Sequence, residues 1–131
     1  MSGWALQQAV YAALLADSGV VALAGTRVFD DVPGDAAMPY VVIGEDRESD
    51  WSTATETGSE HILSIHVWSR AAGHREAKLL CDAVRAALDD AALAVSGATL
   101  IDIRYQATQY SRESDGRTIR AALTFRAVLE P

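Results

Sequence analysis

The chain has one cysteine, three histidines and a single lysine, and each scarcity excludes something. A lone Cys81 forms no internal disulfide, and without a CxxC pair or a Cys/His cluster no thiolate metal site is expected. The first basic residue is Arg27, so the N-terminus lacks the basic region of a signal peptide. No run approaches the roughly 18 apolar residues of a membrane span. A soluble product of a reducing compartment is expected, with no membrane partner. Basic side chains are also few: Lys+Arg is 11 against Asp+Glu 18, a formal charge of −7, which argues against a surface that neutralises nucleic-acid phosphates.

The missing bases are missing from one half. Up to residue 70 only Arg27, Arg47 and Arg70 are basic, against ten carboxylates, whereas acids and bases balance beyond it. Half the residues are hydrophobic, but alanine is so frequent that large core-filling side chains are fewer than this suggests. At 131 residues the chain is expected to be one domain spanning 1–131 with one modest core.

What is present has clear periodicity. Residues 4–16 are strong helix formers with apolar positions at 4, 7/8, 11, 14 and 15, which predicts a helix and gives Trp4 a core role. Asp17-Ser18-Gly19 stops it, and Val20 to Leu23 predicts one further helical turn. Arg27 to Asp31 predicts a brief strand. Tyr40-Val41-Val42-Ile43 follows Pro39 and predicts a strand whose start the proline fixes. From Glu45 to Glu60 the pattern disappears, and an acidic, flexible loop is expected there.

His61 to Trp68 alternates, with His61, Leu63, Ile65 and Val67 on one side. Between Gly73 and Asp90, Ala77, Leu80, Cys81, Val84 and Leu88 form one helical stripe, and Lys78–Asp82 and Arg85–Asp89 sit at ion-pair spacing on the other side. Leu100 to Tyr105 alternates with Ile101, Ile103 and Tyr105 inward. Ile119 to Leu129 alternates likewise, and Asp115-Gly116 marks a hairpin turn between those two strands. The predicted class is α+β: a mostly antiparallel sheet with one long and one N-terminal helix packed on one face.

Chemistry is thin. His61 and His66 are five apart on a strand and so lie on opposite faces, unable to chelate one ion together. His74 reads as a solvated residue at the helix start, and Cys81 as a small buried hydrophobe. No nucleophile elbow or phosphate-cradling glycine loop occurs, and the 45–60 block lacks a calcium loop's ligand pattern. No catalytic residue, metal or cofactor is expected. A metal-dependent hydrolase using Asp30, Asp31, Glu45 and His61 is the alternative from another class. Trp51 sits in the acidic segment with no obvious core to join, which suits an interface anchor.

Pro39-Tyr40-Val41 opening a strand, the run His61 to Ser69 ending Val67-Trp68-Ser69, Gly73 with Glu76-Ala77 starting a helix, and Asp115-Gly116 before the strand to Phe125-Arg126 follow one another in order. In that order and spacing the chain resembles the tail-completion, or tail terminator, family of long-tailed phages and gene transfer agents. The resemblance implies a virion protein, assembled in the bacterial cytoplasm, that forms a homohexameric ring at the junction of tail and head. The ring would cap the tail tube, end its polymerisation and meet a head-side connector or stopper protein. DNA would pass through its lumen without specific binding.

The charge then acquires a role: Glu45, Asp46, Glu48, Asp50, Glu56 and Glu60 would line or flank the channel and repel DNA, six copies at −7 each. Arg104, Arg112, Arg117, Arg120 and Arg126, with Trp51, would meet a neighbouring subunit or the tube. A head-completion or stopper protein of the neck is the alternative of the same kind.

Overall fold

The computed structural model describes residues 3–131. The elements are α1 (Gly3–Ala16), α2 (Ser18–Ala24), β1 (Val28–Phe29), β2 (Tyr40–Asp50), β3 (Ser59–Ser69), α3 (Arg75–Leu88), β4 (Thr99–Arg112) and β5 (Ile119–Glu130). The strands form one five-stranded sheet in the order β1-β2-β3-β5-β4. Only β1, two residues long, runs parallel to its neighbour. This is the α+β class the periodicity predicts. Among the described residues no single helix is long and apolar enough to cross a membrane.

The helices cover one face of the sheet and the core lies between. Leu6, Val10 and Leu14 of α1 and Leu80, Val84 and Leu88 of α3 join Leu63, Ile65 and Val67 of β3 and Leu123, Phe125 and Leu129 of β5 in one buried cluster. Each such side chain contributes on the order of 1.5–3 kcal/mol when fully buried. The α3 stripe is as predicted, from Ala77 to Leu88, and so is the inward set on β5. The β4–β5 turn is held by Asp115, whose carboxylate accepts from Arg117 N, Thr118 N and Thr118 Oγ. Gly116 follows at φ 72, where a side chain is strained.

Four expectations require correction. The 45–60 segment is not a loop throughout: Glu45 to Asp50 continue β2 and Ser59-Glu60 begin β3, leaving 51–58 as the connection. Backbone pairing to β3 from Asp46 to Asp50 sustains a strand that has almost no apolar side chains to announce it. A bulge between Ile43 and Asp46 also breaks its alternation. Trp4 is not core; it is 63% exposed, because the face of α1 turned to the sheet is Leu6, Ala9, Val10 and Leu14. Ile101 does not point inward, since a register shift between Leu100 and Asp102 turns it outward at 48% exposure while Ile103 stays buried. Lys78 and Arg85 do not pair with the carboxylates one turn on. Lys78 lies over the Tyr110 ring and Arg85 over the Tyr105 ring, each at cation–π distance, 5.1 and 4.1 Å from the centroids.

Candidate assembly surfaces

The acidic hairpin is divided by the sheet. Beyond the bulge Asp46 pairs with Leu63, Glu48 with His61 and Asp50 with Ser59, so these three carboxylates share the helix-side face with the buried residues of β3. Asp46 and Glu48 stand at the N-terminus of α1, where Glu48 Oε1 would lie 3.2 Å and Asp46 Oδ2 3.9 Å from a Cβ on Gly3. Negative charge is favourable at that end of a helix. Glu60 alternates onto the opposite face. There Arg126 donates Nε–H to Glu60 Oε2 at 2.5 Å and lies 5.9 Å from the Trp51 ring centroid. Glu56 is exposed on the connection, where its N–H donates to Thr53 Oγ1. Trp51 is 48% exposed. The structure therefore gathers Trp51, Glu60 and Arg126 into one cluster, and separates them from Asp46, Glu48 and Asp50.

The arginines also divide. Arg104 pairs with Asp89 and Asp90, and Arg120 with Glu113 at 3.2 Å while lying over Trp68. Arg112 donates to the Gly116 carbonyl, bracing the β4–β5 turn. Arg117 is exposed on that turn, its N–H on Asp115 and its guanidinium in no ion pair among the described residues. Three of the five are thus paired with carboxylates within the chain, and Arg112 and Arg117 stand at the hairpin tip without such a partner among the described residues.

Sequence reasoning missed a polar network under α1. His61 is fully buried; its Nδ1 lies 3.0 Å from Asp46 Oδ2 and its Nε2 3.3 Å from Ser59 Oγ. Asp46 was legible as acidic but not as a partner, because the bulge, not the spacing, turns it toward His61. The order Ser–His–Asp is that of an acyl-transfer relay. Its imidazole is sealed from solvent, however, and the neighbouring Gly58 N–H donates to Ser52 Oγ rather than standing free as an oxyanion donor. The network satisfies both nitrogens of a buried histidine. Among the described residues no three His, Cys, Asp or Glu side chains are grouped to hold a metal ion.

His66 lies on the other face of the sheet, as five-residue spacing requires. Its ring packs over Gly44, where a Cβ would come within 2.7 Å of it. Burial lowers its pKa and nearby Arg120 lowers it further, against an opposing pull from Glu45. Cys81 is buried in the α3 stripe, and desolvation pushes its thiol up to about 12, which leaves it inert as a nucleophile.

Compared with known proteins, residues 8–130 match the family model of tail completion protein gp17. The chain belongs to the tail completion protein gp17 family. A solved structure described as the virion of a native gene transfer agent particle contains a similar chain, with a TM-score of 0.91 and 38% identity, covering 96% of this chain and 95% of that one. No curated protein matches.

In this tail completion protein the free charges separate along the strands. Asp50, Ser59, Thr99 and Glu130 meet at one end of the sheet, and a cleft of about 580 Å³ opens there between Glu48, Asp50, Gly97, Leu129 and Glu130. Arg112 and Arg117 stand at the other end, where Ser69 and Arg112 pair with Ile119. One molecule thus presents carboxylates outside ion pairs at one end of its strands and, at the other, the Arg112 and Arg117 guanidiniums beside Glu113 and Asp115, which Arg120 and Arg70 already pair.

Proposed function

We propose that six copies of this chain close as a ring on the head-proximal end of a tail tube, stop its polymerisation and present their other face to a head-side connector, with DNA passing through the lumen. The observation that carries the reading is the match to a gene transfer agent virion chain over nearly the full length of both, at an identity where fold and family are shared. A structural role rather than an enzymatic one agrees with a sealed His61 and an inert Cys81. Localisation to the particle, at the tail–head junction, follows from the same reading, as does assembly in the bacterial cytoplasm.

A closed ring needs two different patches on each subunit. The separated charges supply one such pair: Arg112 and Arg117 of one copy reach carboxylates of the next. Glu48, Asp50 and Glu56 flank the channel, where like charge keeps DNA from adhering. With a Debye length of about 8 Å at physiological salt, only carboxylates at the wall act on it. Glu60 and Asp46 take little part in this, since Arg126 and His61 engage them. The cluster of Trp51, at the start of the β2–β3 connection, with Arg126 of β5 is the contact with the tube.

The stopper reading differs in its partner. Purified chain mixed with tail tubes made without heads should bind tube ends at six copies per end. Binding to heads and not to tubes would favour the stopper and contradict the terminator.

A further inference from the structure

Helix α1 carries no charged side chain on either side. Its fourteen residues, GWALQQAVYAALLA, include no charge, in a chain that is 22% charged. The next charged residue, Asp17, is occupied in capping α2, accepting from Val20 N at 3.0 Å. While Leu6, Ala9, Val10 and Leu14 face the sheet and Leu15 packs against the same core, Trp4, Gln8 and Tyr11 follow at i, i+4 and i+7 and line the far side. Trp4 is 63% exposed and Tyr11 41%. A helix that is hydrophobic all round is ordinarily buried, yet among the described residues Trp4 and Tyr11 of this one are left uncovered.

A second uncharged surface lies across the molecule. The connection from α3 into β4 forms a shallow groove lined by Leu93, Ala94, Val95, Ala98 and Leu100 with no charged side chain, and exposed Ile101 lies next to it in the chain. The two surfaces sit at opposite edges of the fold. α1 packs over β1 and β2, at one end of the strand order, while the groove opens beside β4, at the other. Different patches on opposite edges are the requirement for head-to-tail contacts that close into a ring, whereas a two-fold pair would use one patch twice. The matched lack of charge means that neither surface leaves an ion unpaired when the two meet.

We infer that the Trp4–Tyr11 stripe of α1 docks into the 93–100 groove of the next copy of this chain, with Trp4 as the anchor. The inference rests on the ring reading and supplies its apolar contact.

Particles carrying Tyr11→Cys together with Ala94→Cys, mildly oxidised, test it. The expected result is a covalent ladder of this chain reaching six, absent from either single variant; Cys81, buried, takes no part. Tyr11→Cys cross-linking to itself would mean a two-fold α1 pair, and cross-linking to the tube subunit would mean a different occupant; either overturns the contact. Rings visible on tube ends without any ladder overturn the contact while leaving the ring standing. Tube ends bare of rings when wild-type chain is present overturn the ring itself. Trp4→Asp and Ala94→Asp provide a second readout. Each alters an exposed residue and should melt like wild type, yet each should lose ring assembly, whereas Leu79→Asp, on the outward side of α3, should keep it. Rings formed normally by Trp4→Asp would contradict the assignment.

Discussion

Arg126 on β5 reaches across to Glu60 on β3, Nε to Oε2 at 2.5 Å, and the same guanidinium lies 5.9 Å from the Trp51 ring. One carboxylate of the acidic segment is thereby neutralised on the outer face of the sheet, and a half-exposed tryptophan is placed at the base of the β2–β3 connection. The ion pair is partly exposed, so its coupling should be modest, about 1 kcal/mol in a cycle of Arg126→Ala and Glu60→Gln measured by urea unfolding. Trp51→Ala should shift stability by less than about 0.5 kcal/mol. It should nevertheless weaken tube binding sharply. Unchanged tube binding by Trp51→Ala would remove the hairpin from the tube contact.

The buried His61 depends on its partner. Asp46→Ala leaves Nδ1 facing a space with no acceptor, at a cost of about 1–3 kcal/mol. Asp46→Asn retains an acceptor oxygen and should recover much of it. Thermal or urea melts of the two variants check this, and equal losses would mean that charge alone, rather than the hydrogen bond, carries the effect.

Gly44→Ala should destabilise by about 1–3 kcal/mol, because the new methyl meets the His66 ring at 2.7 Å and the Ser64 carbonyl at 3.2 Å. Adding His66→Ala removes the closer clash. The double variant should therefore lose less than the sum of the singles, and strict additivity in unfolding free energies would contradict the packing described.

His66 gives a pH dependence with a definite sign. Its pKa is lowered in the folded state by burial and by Arg120. The unfolded chain therefore binds the proton more readily, so the stability associated with a neutral His66 is present above the ordinary value of 6.5 and is lost as pH falls below it. His66→Gln should flatten the decline in urea midpoint between about pH 7.5 and 5.5. A decline as steep as wild type would assign it to other groups.

Strong periodicity was legible wherever one face of an element is buried. The α3 stripe from Ala77 to Leu88 and the β5 set from Ile119 to Leu129 are the same residues in the sequence pattern and in the core. It failed where a bulge inverts the alternation. Register shifts after Ile43 and after Leu100 hid the second half of β2 and misplaced Ile101. In α1 period alone does not say which apolar positions meet the sheet; of the predicted set Leu14 is buried and Leu15 packs against the core, while Trp4 and Tyr11 proved to face outward. The acidic residues and arginines were visible as charges. Their internal partners were not, because the pairing of Glu60 with Arg126 spans 66 residues and depends on β3 and β5 being neighbours.

The length of tails in particles made without this chain tests the central claim most directly. Tube polymerisation without a terminator has no stop, so electron micrographs should show abnormally long tails or free polytubes, and supplying the wild-type chain in trans should restore a single length. Tails of normal length, whether attached to heads or detached from them, would contradict a terminator role for this protein.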